Sequence, residues 1–303
     1  MKKLCNLFFA ALIVLLFPCY AIAQAGMWTW MHGTAGLPNV INFGIQGVPA
    51  ASNNPPGFYE ACEWTDLSGN FWIYGGESDI MQNDYADLWK FDPLTNMWTW
   101  INGPGTPNSS PIYGTQGIPA AANNPGQSAW GVVTWVDKAG NLWLNGSMNG
   151  SNSLWKYTIS TNMWTWMKGD AVNLGVGNYG IKKVPAPSNL PPGRSETNAR
   201  WVDADGNLWM FGGYNYLGYL NDLWKYDVGT NEWTWIRGSQ YINDKGHYGI
   251  QHVPDAGNDP PARCCWSPLL TNPVISGSLE VPTVPGSLMI CGSMIPWPTP
   301  GPG

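Results

Sequence analysis

Charge is scarce in this chain. Only 11% of its 303 residues are Asp, Glu, Lys or Arg, and the formal net charge is −6. No basic stripe is available to neutralise phosphates, which speaks against nucleic acid as a partner. Beyond the first two dozen residues no apolar run is long enough to cross a bilayer, so no transmembrane segment is expected. Histidine is nearly absent, with only His32, His247 and His252. Two imidazoles in one loop, without a Cys or carboxylate cluster, do not make a zinc or copper site, and all three read as surface residues. Cysteine is sparse within the repeats: Cys5 and Cys19 lie at the N-terminus, Cys62 stands alone, and Cys264, Cys265 and Cys291 lie near the C-terminus. Disulfides are therefore not part of the repeat. Glu63, Glu77, Glu196 and Glu232 fall at scattered positions and supply no carboxylate pair for glycoside hydrolysis. No nucleophile elbow or phosphate loop is present. These absences weaken an enzymatic reading, and no metal or cofactor is expected.

The N-terminus combines Lys2 and Lys3, an apolar run from Leu7 to Phe17, and Ala21-Ile22-Ala23. This is the arrangement of a secretory signal peptide with an A-x-A cleavage site, covering residues 1–23, with the mature chain starting near Gln24. Cys19 is not read as a lipidation site, because Phe17 and Pro18 occupy positions that want small residues.

Tryptophan is abundant, with 20 residues, and it is periodic. MWTWMHG from Met27, MWTWING from Met97, MWTWMKG from Met163 and EWTWIRG from Glu232 place Trp28, Trp98, Trp164 and Trp233 at separations of 70, 66 and 69 positions. A period of this size is the main fact about the sequence. In the most complete repeat, Ala199–Val202 and Leu208–Phe211 are two apolar runs joined by Asp203-Ala204-Asp205-Gly206-Asn207. D-x-x-G-N is a hairpin signal, and it recurs at Asp66–Asn70 and Asp137–Asn141. The turn itself needs Asp and Gly, so a structural role outweighs a calcium site. Gly212-Gly213, a variable loop, Leu223–Tyr226, a second turn and Trp233–Ile236 complete the unit. Four short strands per repeat make one antiparallel sheet with two apolar faces, and stacking such sheets radially buries both. Alternation places the two indoles of each W-T-W on one face of a strand, where they read as core.

These residues resemble the kelch-repeat family of β-propellers. The family motif is a Gly pair after the second strand, then an aromatic and a Trp with six residues between them. This chain has Gly75-Gly76 with Phe91 and Trp98, and Gly212-Gly213 with Tyr226 and Trp233; the middle copy departs, with Asn145-Gly146-Ser147 before Tyr157 and Trp164. The resemblance implies an all-β, kelch-type β-propeller over residues 24–263. Three whole four-stranded blades are expected at about Phe58–Gly103, Gln127–Gly169 and Arg194–Gly238, with a lone N-terminal strand at Trp28–Trp30, an incomplete arc. The fold is shared with galactose oxidase, whose copper site needs two His and two Tyr. That set cannot be placed in this sequence.

Between blades runs a Gly/Pro-rich segment that is itself repeated, from Phe43, Tyr113, Tyr179 and Tyr248. Long loops of this kind are commonly functional, and these are expected to emerge on one face. Their faithful repetition favours padding that packs on a blade. Arg194 and Arg200 flank Glu196 and read as a local ion-pairing cluster or an anion site.

From Cys264 the repeat disappears into a Pro-rich run ending IPWPTPGPG. Residues 264–303 read as an out-of-frame remnant of a fourth blade. Joining each codon's third base to the next codon's first two forces Asp at Met289-Ile290 and at Met294-Ile295. These Asp residues lie five positions apart, as Asp222 and Asp227 do, and at one constant offset from them. The rest of the register is permitted to encode a G-N-L-W, N-D-L-W-K-Y-D and W-T-W series.

The expectation is therefore a secreted, periplasmic or cell-surface binding module with a protein or glycan partner and no identifiable catalytic site. The alternative is a carbohydrate-binding or carbohydrate-active propeller, galactose-oxidase-like, using Phe43, Tyr113, Tyr179 and Tyr248 as stacking platforms and Arg194 beside them.

Overall fold

The computed structural model describes residues 29–33, 40–78, 83–146, 150–171, 175–197 and 199–264. The leader, Trp28 and the tail from Cys265 lie outside the described residues. Among the described residues there are no helices, and so none long and apolar enough to cross a membrane.

The strands are β1 (Cys62–Thr65), β2 (Phe71–Tyr74), β3 (Glu77–Ser78), β4 (Asn83–Asp84), β5 (Leu88–Asp92), β6 (Met97–Asn102), β7 (Val133–Val136), β8 (Leu142–Asn145), β9 (Leu154–Thr158), β10 (Met163–Lys168), β11 (Arg200–Val202), β12 (Leu208–Tyr214), β13 (Tyr219–Asp227) and β14 (Glu232–Arg237). They form three four-stranded antiparallel sheets in sequential order: β1-β2-β5-β6, β7-β8-β9-β10 and β11-β12-β13-β14. The small β3–β4 ribbon stands where the sequence reads as a variable loop. In sheet three the same region is absorbed into longer β12 and β13, with a register shift at the Gly pair.

Each sheet begins with the D-x-x-G-N turn. Asp66 Oδ1 accepts the backbone N–H groups of Ser68 and Asn70, and Oδ2 accepts Asn70 Nδ2 and Trp72 Nε1. Asp137 and Asp203 repeat all four bonds. Partial burial of Asp66 and Asp203 would raise their pKa values, but the hydrogen bonds from Asn and Trp outweigh it and hold both carboxyls below the usual range. The turn thus locks the first β-hairpin of each sheet and fixes the indole of its second strand.

The same register carries tryptophan across each sheet: Trp64 faces Trp72, Trp135 faces Trp143, and Trp201 faces Trp209. Further out, Trp89, Trp155 and Trp224 face Trp100, Trp166 and Trp235, each beside a register shift in the outer pair. One apolar cluster fills the space between sheets one and two and a second that between sheets two and three. Of the leading W-T-W indoles, Trp164 and Trp233 are fully buried and Trp98 is half-buried. The innermost strand β7 lies beside both β1 and β11.

The expected lone strand is not formed over Thr29–Gly33. A strand needs a ladder partner, and none stands beside these residues among those described. Trp30 nonetheless keeps a local feature of the outer strands, donating its indole N–H to His32 O at 2.8 Å, as Trp166 does to Lys168 O at 2.8 Å and Trp235 to Arg237 O at 2.7 Å.

Trp164 packs against Tyr74 of the neighbouring sheet with ring centroids 5.2 Å apart, so it joins two sheets. Trp164→Ala is expected to cost roughly 3–5 kcal/mol. An unchanged urea midpoint in equilibrium unfolding would contradict that placement.

Candidate functional site

Three of the four repeated loops do not project as free platforms. The segment from Phe43 folds back along the outermost strand of sheet one: Gly47 N donates to Trp100 O at 2.8 Å, Ala50 forms a bridge with Trp98, and Asn53 Nδ2 reaches Trp98 O at 2.9 Å. The segments from Tyr113 and Tyr179 do the same on β10 and β14 through Gly117, Asn123, Lys183 and Asn189. An outermost strand presents unpaired backbone groups, and each loop supplies partners for them, acting as an edge cap.

The aromatic that opens each of these three caps is wedged between two indoles of the same sheet. Phe43 lies 5.1 Å from both Trp89 and Trp100; Tyr113 lies 5.2 Å from Trp155 and 4.9 Å from Trp166; Tyr179 lies 5.1 Å from Trp224 and 5.0 Å from Trp235. Tyr248 is different, with 66% of its surface exposed.

Arg194 is fully buried and does not pair with its sequence neighbour Glu196. Its Nη1 and Nη2 grip Asp222 Oδ1 and Oδ2, both at 2.7 Å, in a bidentate pair with 0% exposure on either side. Asp222 Oδ2 also accepts Tyr179 OH at 2.7 Å and Trp224 Nε1 at 2.8 Å. Burial and then the Asp222 carboxylate push the Tyr179 phenol well up, which keeps it a donor. Counting from the cap Asn residues, Arg194 corresponds to Ser128 in sheet two and Phe58 in sheet one, while Asp222 corresponds to Ser153 and Asp87. Sheet two thus holds two hydroxyls where sheet three holds an ion pair. Sheet one keeps the carboxylate but replaces both partners, with Phe58 for the arginine and Phe43 for the tyrosine.

Asp87 is consequently a buried carboxylate without a counter-charge. Burial raises it from 3.8 to about 6, against the hydrogen bonds from Gly105 N and Trp100 Nε1. Its Oδ2 has no hydrogen-bond partner.

The glycine pair marks a close approach between sheets. A Cβ at Gly75 would lie 2.2 Å from Ser128 O, and one at Gly212 would lie 2.8 Å from Arg263 O. In sheet two Gly146 keeps the first of these positions, where a Cβ would lie 2.8 Å from Arg194 O, and Asn145 stands just before it, its Nδ2 donating to Asn152 O at 3.2 Å.

The cavity best suited to a ligand lies elsewhere, at the innermost strands. An open concavity of about 490 Å³ is bordered by β1, β2, β7 and β11, with Glu63, Thr65, Thr134 and Arg200 as its polar lining and Phe71 as its exposed ring. Glu63, Thr134 and Arg200 occupy one equivalent position, opposite Ile73, Leu144 and Met210 in their sheets. Thr134 Oγ1 donates to Glu63 O at 3.0 Å, and Arg200 Nη2 stands 4.0 Å from Glu63 Oε1. Burial lowers the Arg200 pKa and Glu63 opposes it. The arrangement offers a cation, an anion, hydroxyls and a ring face within one concave wall, which suits recognition of a hydrogen-bonding ligand. Among the described residues no group of three or more His, Cys, Asp or Glu could hold a metal ion. The one described cysteine of the repeats, Cys62, is buried, with its thiol pushed up to about 12 by desolvation.

Neither Asp222 nor the Glu63/Thr134/Arg200 position was singled out as a site from sequence. The signal for the latter was present: a position where three otherwise similar repeats carry an acid, a hydroxyl and a base.

No protein-family model matches the sequence, and no curated protein matches it. Among solved structures the chain is similar to YjhT, at 15% identity and a TM-score of 0.39, over 60% of this chain and 52% of that one. The chain thus spans about half the length of YjhT, a likeness too weak to carry any argument about this protein.

Two predictions follow from the buried carboxylates. Arg194→Ala leaves Asp222 buried and unpaired, and is expected to cost about 3–5 kcal/mol in chemical denaturation, with Arg194→Lys rescuing only part because the two-toothed grip is lost. For Asp87 the folded pKa is raised, so the folded state holds the proton more tightly. Its contribution to stability is greatest below the ordinary value of 3.8 and is lost as pH rises to about 6. Asp87→Asn should flatten that part of the stability–pH curve and stabilise the fold at pH 7 by up to roughly 3 kcal/mol. A variant whose curve parallels the parent's over this window would refute the assignment.

Proposed function

We propose that this chain is a kelch-type propeller serving as an exported binding module, with its recognition surface at the inner strands around Glu63, Thr134 and Arg200. The observation that carries this reading is the divergence of the repeat at that one inner position, combined with the convergence of the three side chains on one cavity. The indoles that pack between sheets, such as Trp72 and Trp143, are kept alike, with Trp209 at the same position, because each sheet must pack on its neighbours. A ligand site has no such requirement and is free to differ from sheet to sheet. The leader with its Ala21-Ile22-Ala23 site supports export.

A glycan is the second reading, and a specific feature favours it. Phe71, 47% exposed, borders the cavity beside the Arg200–Glu63 pair, so a ring face stands next to paired hydrogen-bonding groups. The cap aromatics Phe43, Tyr113 and Tyr179, wedged between indoles, are less suited to stacking on a sugar than Phe71.

The test is binding of the intact chain to a glycan array and to an extracellular-protein pull-down. Glu63→Ala and Arg200→Ala are expected to weaken whichever ligand is found by about tenfold or more, equivalent to 1.4 kcal/mol or above. Tyr113→Phe should leave affinity unchanged. Binding that survives both inner-strand substitutions would place the site elsewhere.

A further inference from the structure

The contacts that join neighbouring sheets are copies of one another. Trp64 of β1 donates its indole N–H to Trp143 O of sheet two at 2.9 Å, and Trp135 of β7 donates to Trp209 O of sheet three at 2.9 Å. Alongside, Trp72 packs on Tyr157 with centroids 6.0 Å apart, and Trp143 packs on Tyr226 at 5.5 Å. The third members of these two series are Trp201 and Trp209. Trp64 and Trp135 are 5% and 3% exposed, whereas Trp201 is 45% exposed and lies flat on Trp209.

The edge caps repeat the same imbalance. Residues 247–259 fold like the first three caps: His247 bridges Asp259 as Asn42 bridges Asn54, and Asn258 Nδ2 donates to Val253 O as Asn53 Nδ2 does to Val48 O. His252, at φ 65°, takes the place of Lys183, also at φ 65°, whose N–H donates to Trp235 O. Among the described residues no outer strand lies on this fourth cap, and its Tyr248 ring is exposed where Phe43, Tyr113 and Tyr179 are wedged. Arg263 stands at the Arg194 position and keeps its local geometry, with Nε donating to Pro261 O as Arg194 Nε does to Pro192 O.

We infer that the outward side of sheet three, together with the fourth cap, is a socket for one further four-stranded sheet of this same repeat, continuous with Arg263. The two interfaces inside the chain specify the occupant's chemistry. Its second strand presents a carbonyl to Trp201 Nε1. Its outermost strand carries Trp-x-Trp, with alternate carbonyls facing His252 N and Asn258 Nδ2 and an indole against Tyr248. An Asp at the Asp222 position meets Arg263 and Tyr248. The out-of-frame reading of the tail forces an Asp at that very repeat position, an independent line from the sequence to the same occupant. A second copy of the chain is the rival occupant. It fits less well, because the outer strand of sheet one, which the fourth cap would have to serve, is already paired by the segment from Phe43.

The test compares the chain as it stands with one in which residues 264–303 are replaced by a copy of residues 195–238. Oxidative labelling read by mass spectrometry at Trp201 and Tyr248, with sedimentation for the oligomeric state, gives the readout. The added sheet is expected to resist protease and to reduce Trp201 labelling about ninefold in a monomer, the ratio of the exposures of Trp201 and Trp64, 45% and 5%. Asn258→Ala combined with Trp201→Ala should make the added sheet protease-sensitive again. An ordered added sheet that leaves Trp201 and Tyr248 labelled overturns the inference. So does an added sheet that never becomes protected, because the socket supplies the contacts that hold sheets two and three. A parent chain that dimerises and already shields Trp201 assigns the face to a second copy and overturns it as well.

Discussion

A four-stranded antiparallel sheet with apolar residues on both sides has three surfaces to satisfy at once: two faces that must be covered and an outer strand whose backbone groups must be paired. Everything distinctive about this chain answers that constraint. The faces are covered by neighbouring sheets through large indoles, which bury more apolar surface per residue than aliphatic side chains and bring a single N–H that must find an acceptor. Trp64 and Trp135 find it in the backbone of the next sheet, so one residue type supplies both the apolar contact and its directional registration. The outer strand is served by the cap, which replaces water with Gly47, Gly117 and Lys183 as donors and leaves little edge for other chains to pair with.

The caps also explain why the sheets tolerate such different chemistry behind them. Each cap aromatic closes the sheet over the residue two before the third-strand Trp: Asp222, Ser153 or Asp87. Where that residue is ionised, as in sheet three, charge must be met by charge, and Arg194 reaches in with Tyr179 and Trp224 completing the shell. Sheet two avoids the cost of desolvation by using hydroxyls, with Ser153 Oγ accepting Trp155 Nε1 at 3.1 Å. Sheet one holds neither solution, and the Asp87 carboxyl responds by holding its proton more tightly. The three sheets are therefore alike in outline and unlike in what their interiors demand from pH.

Much of the architecture was legible in the sequence because its signals are local. D-x-x-G-N names a turn whose Asp must bond its own loop, and W-T-W names a strand with period two, so the twelve strands of the three sheets fell where those patterns placed them. The cap was legible as a repeat but not as an edge partner, since Ala50 meets Trp98 only after the intervening hairpins have folded. The Arg194–Asp222 pair was missed for a similar reason. Glu196 is two residues from Arg194 and Asp222 is far along the chain, yet β13 brings the distant carboxylate into the buried pocket. Over Thr29–Gly33 no strand forms, because backbone becomes a strand only beside another.

The inner position shows how a repeat can hold a structural and a variable role side by side. On β1 and β7 the indole of Trp64 or Trp135 is committed to the next sheet by its hydrogen bond, so that site is constrained wherever a further sheet follows. The residue before it points toward the shared cavity, where its neighbours are the same position of other sheets and not the body of its own. A substitution there changes the lining of the cavity while leaving the packing between sheets intact. Glu63, Thr134 and Arg200 differ for that reason, and the cost of desolvating the Arg200 cation is reduced by the exposed Glu63 carboxylate 4.0 Å away. Variation without loss of fold is what a recognition surface requires, and at this inner-strand position the variation faces a cavity shared by the sheets.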